Sequence, residues 1–233
     1  MNIQIHQLLE GAKKAKGITV IIDVFRAFTL EAYLYAQGAK KIYPIADLEV
    51  VNKLRQAHPE YIYCGERGGK QLAGYAFGNS PSSILGMDFT NQTIVHTTSA
   101  GTQGIFAAKE ASEILTGSFV NAKAIAQYIK KKNPEEVSLV AMGWNGLEES
   151  EEDTLCATYL KSLLENHPMR DIQAQAEAMK HTAGKKFFDP KAIDFPEGDF
   201  ACCVNVDAFD FVIRMEKENG LYYGKKIKVE DGQ

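Results

Sequence analysis

The chain predicts an α/β protein in which a parallel or mixed sheet is laid down first and a small antiparallel element closes the chain. Three observations carry this reading. Short apolar, β-branched runs alternate with stretches of helical spacing for the first two-thirds of the sequence. Glycine and proline punctuate the boundaries between them. Near the end, Asn219-Gly220 stands between two strand-like runs, the strongest hairpin signal a short stretch of sequence offers.

The elements follow in order. Ile18–Val24 (ITVIIDV) is continuously apolar apart from Thr19 and Asp23, as expected of a central strand covered on both faces. Ala27–Gln37 has helical spacing and Gly38 stops it. Lys41–Ile45 is the next strand, Leu48–Ala57 a helix ended by Pro59, and Tyr61–Gly65 a short strand. Glu66–Pro81 (ERGGKQLAGYAFGNSP) breaks the alternation, and a loop of that length inside a compact domain is often functional. The alternation resumes with strand Thr93–Thr98, helix Gly101–Lys109, strand Ile114–Phe119, helix Ala122–Lys132, strand Val137–Met142 and helix Glu151–Leu164. Met169–His181 reads as helix, Phe187–Cys203 as irregular, and Val212–Glu218 with Leu221–Ile227 as the hairpin. With no linker or repeat, one domain is expected over 1–233, divisible at most into lobes of about 1–165 and 166–233.

Composition narrows the partners. The chain has 233 residues and a formal charge of −4, with no basic excess or stripe. Nucleic acid and membrane surfaces are therefore not expected partners, and an anionic ligand must be held by local charge. Met1–Gly17 is polar without an apolar signal core, and no apolar run, Ile18–Ile22 among them, is long enough to span a bilayer, so a cytoplasmic protein is expected. Cys64, Cys156, Cys202 and Cys203 form no CxxC pair and read as reduced and buried.

Ligands of open α/β sheets bind outside the carboxyl ends of the strands. Four segments leave such ends: Asp23–Thr29, Gly65–Pro81, Thr97–Thr102 and Gly143–Asp153. Asp23 at the exit of an apolar strand needs a cation, a metal or several donors, and can ligate Mg²⁺, attack phosphorus, or simply cap a helix and pair with Arg26. Gly68 and its neighbours let the backbone approach an anion, and Arg67 offers a planar fork to it. Asn79-Ser80-Pro81 reads as a cap with proline at the first helical position. Thr98, Ser99, Gly101 and Thr102 lie between a strand and a helix, where amides can face an anion, without a Walker or dinucleotide pattern. The run Glu148, Glu149, Glu151, Glu152 and Asp153 offers oxygen ligands for Mg²⁺, although Ser150-x-x-Asp153 also has the form of a capping box. His96 sits in an apolar strand and reads as a satisfied core residue rather than a base.

These same stretches resemble the 2-phosphosulfolactate phosphatase family: VIIDVFRAFT at 20–29, GERGG at 65–69, FGNSP at 77–81, TTSAGTQG at 97–104 and EEDTLCA at 151–157. The likeness runs from about Ile18 to about Ala157. It implies a three-layer α/β/α fold and a Mg²⁺-dependent hydrolase that converts 2-phospho-3-sulfolactate to 3-sulfolactate and phosphate, a step towards coenzyme M. By position it implies Asp23, Glu152 and Asp153 as metal ligands, with Asp23, Arg26 and Asp153 catalytic. Arg26, Arg67, Ser80, Ser99, Gly101 and Thr102 become anion contacts, joined on the chemistry above by Gly68, Asn79 and Thr98. The expected partner is a small polyanionic phosphate ester, with a homodimer left open. Metal-activated water is the favoured nucleophile and Asp23 the other candidate. Asp23, Arg67, Ser99 and Asp153 are expected to share one cleft. Arg67 is expected to read the sulfonate and Arg26 the phosphate. Two other functions stay compatible with the residues, a dinucleotide-dependent oxidoreductase and a non-catalytic anion-binding protein.

Overall fold

The computed structural model describes residues 1–229. In chain order the elements are β1 (Asn2–Gln7), α1 (Leu8–Lys14), β2 (Gly17–Ile22), α2 (Ala27–Ala36), β3 (Lys41–Pro44), α3 (Leu48–Ala57), β4 (Ile62–Arg67) and β5 (Lys70–Gln71). Then come β6 (Thr93–Thr97), α4 (Gly101–Ala107), β7 (Ala111–Gly117), α5 (Ala122–Lys132), β8 (Glu136–Ala141) and α6 (Glu151–Leu164). The chain closes with α7 (Ile172–Ala178), α8 (Glu197–Cys203), β9 (Phe211–Glu218) and β10 (Leu221–Lys228).

The strands form one ten-stranded mixed sheet in the order β1-β8-β2-β7-β9-β10-β3-β6-β4-β5. The block β1, β8, β2, β7 is parallel, and so is the block β3, β6, β4. The expected hairpin exists, but it is not a closing appendage. It lies in the middle of the sheet, with β9 antiparallel to β7 and β10 antiparallel to β3. The reason is in its side chains: Phe211, Val212, Ile213 and Met215 are buried, so the first half of β9 needs cover on both faces, which an interior position supplies. Across the hairpin the two parallel blocks run in opposite senses.

Helices cover both faces. On one, Val20, Ile22, Leu115, Val137 and Leu139 pack against Ile125, Ile129 and Leu160 of α5 and α6. On the other, Ile21 and Val140 share a core with Leu30 and Leu34 of α2 and Ile105 of α4. The pleat of β2 explains the division, since Val20 and Ile22 point one way and Ile21 the other. Each such fully buried side chain stabilises the fold by about 1.5–3 kcal/mol. Helix α2 is buried nearly all round, including Thr29 and Glu31.

Three segments differ from expectation. The N-terminal stretch holds an edge strand and a helix; Asn2-Ile3-Gln4-Ile5 alternates polar and apolar as a half-covered strand does, and β1 pairs with β8 alone. The helix expected over Met169–His181 is shorter, with α7 followed by a single 3₁₀ turn. The irregular stretch Phe187–Cys203 ends in α8. The four cysteines are buried free thiols, as read from the sequence. No helix among the described residues is long and apolar enough to cross a membrane.

Candidate active site

The loops leaving β2, β4, β6 and β8 meet at one point, and carboxylates tie them together. Asp23, one residue past β2, accepts the amide of Ala27 at 3.1 Å through Oδ1 and that of Gly101 at 3.0 Å through Oδ2. It thus caps α2 and joins it to the start of α4. Asp153 on α6 accepts the amides of Val24 and Gly143, both at 2.8 Å. Glu66 on β4 accepts Ser99 N at 2.7 Å, Ser99 Oγ at 3.1 Å and Gly69 N at 2.7 Å. The amides of Gly69, Ser99 and Gly101, which the sequence reading offered to an anionic ligand, are therefore engaged by the protein's own buried acids.

These bonds frame a small cavity of about 30 Å³, lined among others by Asp23, Glu66, Asn79, Ser99, Arg26 and Phe195. A groove of about 360 Å³ shares Arg26, Gly69 and Asn79 with it as a common wall. That volume has room for a water or two, so a larger ligand must displace part of its cover. That cover is aromatic. Phe195 packs on Gly69, where a Cβ would stand 2.4 Å from the ring. The Arg26 guanidinium lies 4.6 Å from the Phe195 ring centre, and the Trp144 ring centre lies 6.4 Å from it, the two rings tilted by 39°.

Burial controls the charges. Asp23 is 8% exposed, and loss of water raises its carboxyl from 3.8 to about 6; the Ala27 and Gly101 amides pull it down and the Glu66 charge pushes it up. Burial likewise holds Asp153 well above the usual carboxylate range, helped by the charges of Glu152 and Asp23. Burial raises Glu152 and lowers Lys186, whose Nζ sits 4.7 Å from the Trp144 ring centre without an ion pair among the described residues.

The expected residues sort as follows. Asp23 and Ser99 line the cavity, and Asp153 stands behind it, bonded to the cavity residue Gly143. Arg26 lines it too, but not as a free anion receptor: it is 2% exposed and bonds Asp199 Oδ2 at 2.6 Å, Asp194 O at 2.8 Å and Gly69 O at 3.2 Å. The Asp23–Arg26 pair considered from the sequence does not form; Asp199 on α8 takes the arginine. Arg67 is the clearest correction. Its nitrogens bond Glu66 O at 2.6 Å, Ala46 O at 3.1 Å and Thr97 Oγ1 at 2.9 Å, so it braces the loop and does not line the cavity.

Ser80 lines the groove and donates to Asp199 at 2.6 Å, while Gly68 donates to Ser99 Oγ at 3.1 Å. Thr98, before α4, and Thr102, in its first turn, bond each other, and the Gly101 amide is taken by Asp23. Glu152 is buried outside the cavity lining, with Oε2 unpartnered. Ser150 makes no capping bond, so the capping box suggested by Ser150 and Asp153 does not form; the Asp153 carboxylate reaches other loops instead. Sequence reading named Glu66 without giving it a role and missed Asp199, Trp144, Phe195 and Lys186 altogether. An acid between two strand-end glycines was a usable signal for Glu66. Asp199 lay in a stretch without pattern.

Fold and site together define an α/β protein with a strand-end cleft whose polar wall is built from buried carboxylates. Known proteins give that class a family. The family model described as 2-phosphosulpholactate phosphatase matches residues 3–218, and the chain belongs to that family. It is 29% identical over 224 residues to "Probable 2-phosphosulfolactate phosphatase" of Bacillus subtilis (strain 168), covering 94% of this chain and 95% of the relative. To the protein of the same description from Parasynechococcus marenigrum it is 31% identical over 218 residues, 86% of this chain and 90% of the relative. A third relative so described, from Caldicellulosiruptor saccharolyticus, is 36% identical over 156 residues, 64% of this chain and 63% of its own.

Proposed function

We propose that this chain is a phosphoric monoester hydrolase that converts 2-phospho-3-sulfolactate and water to 3-sulfolactate and phosphate. One observation carries the chemistry: Asp23, buried at the strand end and poised near pH 6, faces the same cavity as Glu66. A carboxylate with that pKa is a base at neutral pH and can release its proton again within one turnover. In the reaction Asp23 orients the attacking water and takes its proton as the new P–O bond forms. The bond to the lactate oxygen breaks, and that oxygen takes the proton that Asp23 accepted from water, which returns the carboxylate to its starting form. Asn79 presents a neutral polar group to the phosphoryl oxygens, while Ser99 gives its hydroxyl and amide to Glu66. The aromatic cover of Phe195 and Trp144 excludes bulk water, which strengthens each of these contacts.

Among the described residues the only cation lining the cavity is Arg26, which Asp199 neutralises; Lys186, without an ion pair, packs on the Trp144 ring but does not line the cavity. Among the described residues no three acidic, histidine or cysteine side chains stand together as a ready metal cage. Mg²⁺ however binds through one or two carboxylates completed by substrate oxygens and water. Glu66, which faces the same cavity, fits that mode and leaves Asp23 as the base, whereas Glu152 and Asp153 of the original ligand set do not line it. When bound there, the ion supplies charge neutralisation on the transferred phosphoryl group. The test is phosphate release from 2-phospho-3-sulfolactate and from p-nitrophenyl phosphate, with Mg²⁺ and after exhaustive chelation. Release that is lost on chelation and restored by Mg²⁺ is expected. Full activity without the metal refutes the ligand assignment, and no release from either ester refutes the hydrolase.

A further inference from the structure

A buried polar chain runs from the interior of α2 to the cleft. Glu31 Oε1 lies 2.9 Å from His96 Nδ1, and His96 Nε2 lies 3.2 Å from Asn79 Oδ1. Glu31 and His96 are fully buried, and Asn79 is 7% exposed. Three elements that are distant in sequence converge here: α2, β6 and the glycine-rich loop. Among the described residues Asn79 Nδ2 has no protein acceptor, and Asn79 lines both the cavity and the groove.

The direction of the amide follows from charge. With Oδ1 turned to the ring, one hydrogen lies between His96 and Asn79 and another between Glu31 and His96, so the chain is neutral as a whole. The opposite amide orientation takes its hydrogen from Asn79 and leaves the chain one proton short. It would then bury a net negative charge without a paired cation among the described residues. Burial therefore favours the arrangement in which the NH₂ group points to the ligand space.

We propose that Glu31 and His96 are positioning residues that hold the Asn79 amide with its NH₂ directed at an anionic oxygen of the substrate. This rests on the hydrolase reading above. Asn79 becomes a donor in the cleft that none of the protein's own carboxylates occupies. It can discriminate an anionic oxygen from an ammonium or amide NH, because a fixed NH₂ group cannot accept.

The experiment compares wild type with Asn79→Asp, Asn79→Ala, His96→Leu, His96→Gln and the double variant Asn79→Ala/His96→Leu. Steady-state kinetics on 2-phospho-3-sulfolactate are read beside inhibition by inorganic phosphate. Asn79→Asp keeps the acceptor for His96 and removes the donor. It is expected to raise KM and the phosphate inhibition constant by about tenfold or more, the scale of a lost hydrogen bond to a charged group. His96→Leu should shift the same two constants, and His96→Gln, which can still donate to Asn79 Oδ1, should restore them to within about threefold. If His96 acts through Asn79, the double variant should be no worse than Asn79→Ala in KM. Unchanged KM and phosphate inhibition in Asn79→Asp overturn the proposal, and so do additive losses in the double variant. Should His96→Leu fail to fold, Asn79→Asp still decides. A wild type that releases no phosphate overturns the hydrolase reading instead, so the two failures are told apart.

Discussion

Replacing Asp23 by asparagine separates the catalytic role of that residue from its structural one. The substitution keeps the shape but removes the charge. Asp23 receives one amide at each oxygen, so asparagine can accept only one of them and must set its NH₂ against the other. A buried amide left without its acceptor costs about 1–3 kcal/mol. In the opposite direction, the wild-type carboxyl rises from 3.8 to about 6 on folding, which corresponds to at most about 3 kcal/mol of destabilisation once it is ionised. At neutral pH these effects nearly cancel, and the variant should fold. The pH dependence has a definite sign. Between about pH 4 and pH 6 the native state holds the Asp23 proton more tightly than the unfolded state does. Wild-type stability therefore gains from Asp23 below that window and loses the gain as pH rises through it. Urea unfolding of both proteins at several pH values should show wild type losing up to about 3 kcal/mol relative to Asp23→Asn from pH 4 to pH 6.5. Turnover should fall by about two orders of magnitude or more, as loss of a general base does. A stability difference that does not change with pH would refute the burial argument, and near-wild-type turnover would leave Asp23 as a helix cap alone.

The remaining predictions probe the frame of the cleft. Asp199→Ala strands the buried Arg26 and should cost about 3–5 kcal/mol in urea unfolding; a loss under 1 kcal/mol would mean that water or another acid already serves the arginine. Gly101→Ala places a Cβ 2.8 Å from Phe28 Cζ and 2.9 Å from Asp23 Oδ2, so it should destabilise by about 1–3 kcal/mol and abolish activity, and an active, stable variant would disprove the close approach. Arg67→Lys should lower the melting temperature while reducing kcat/KM equally for esters with and without a sulfonate. A loss confined to the sulfonated ester would return Arg67 to the cleft as a sulfonate reader.

Much of the scaffold was legible in the sequence because its signals are local. Ile18–Ile22 announced a strand buried on both faces, and Asn219-Gly220 announced the hairpin. The four strand-end segments were identified as the site's neighbourhood, since an acid at the exit of an apolar strand must find donors wherever the chain later runs. Which donors it finds is a different matter. Asp23 takes amides from residues 4 and 78 positions away, and Asp153 reaches back 129 positions to Val24. Nothing local distinguishes an amide free to meet an anion from one already held by a buried acid. For that reason the anion-binding turn at Thr98–Thr102 proved to be occupied from within. Arg26 and Arg67 were indistinguishable as forks on paper. Asp199, 173 positions from Arg26, neutralised the first, and the carbonyls of Glu66 and Ala46 captured the second. The hairpin's central place was likewise a tertiary outcome: turn chemistry makes the two strands pair, but the need to cover Phe211 to Met215 on both faces decides where the pair goes. The sequence by itself determined where buried charge must be satisfied. The tertiary structure decided by what, because the cost of an unpaired group is set by whichever partners the packing brings within about 3 Å.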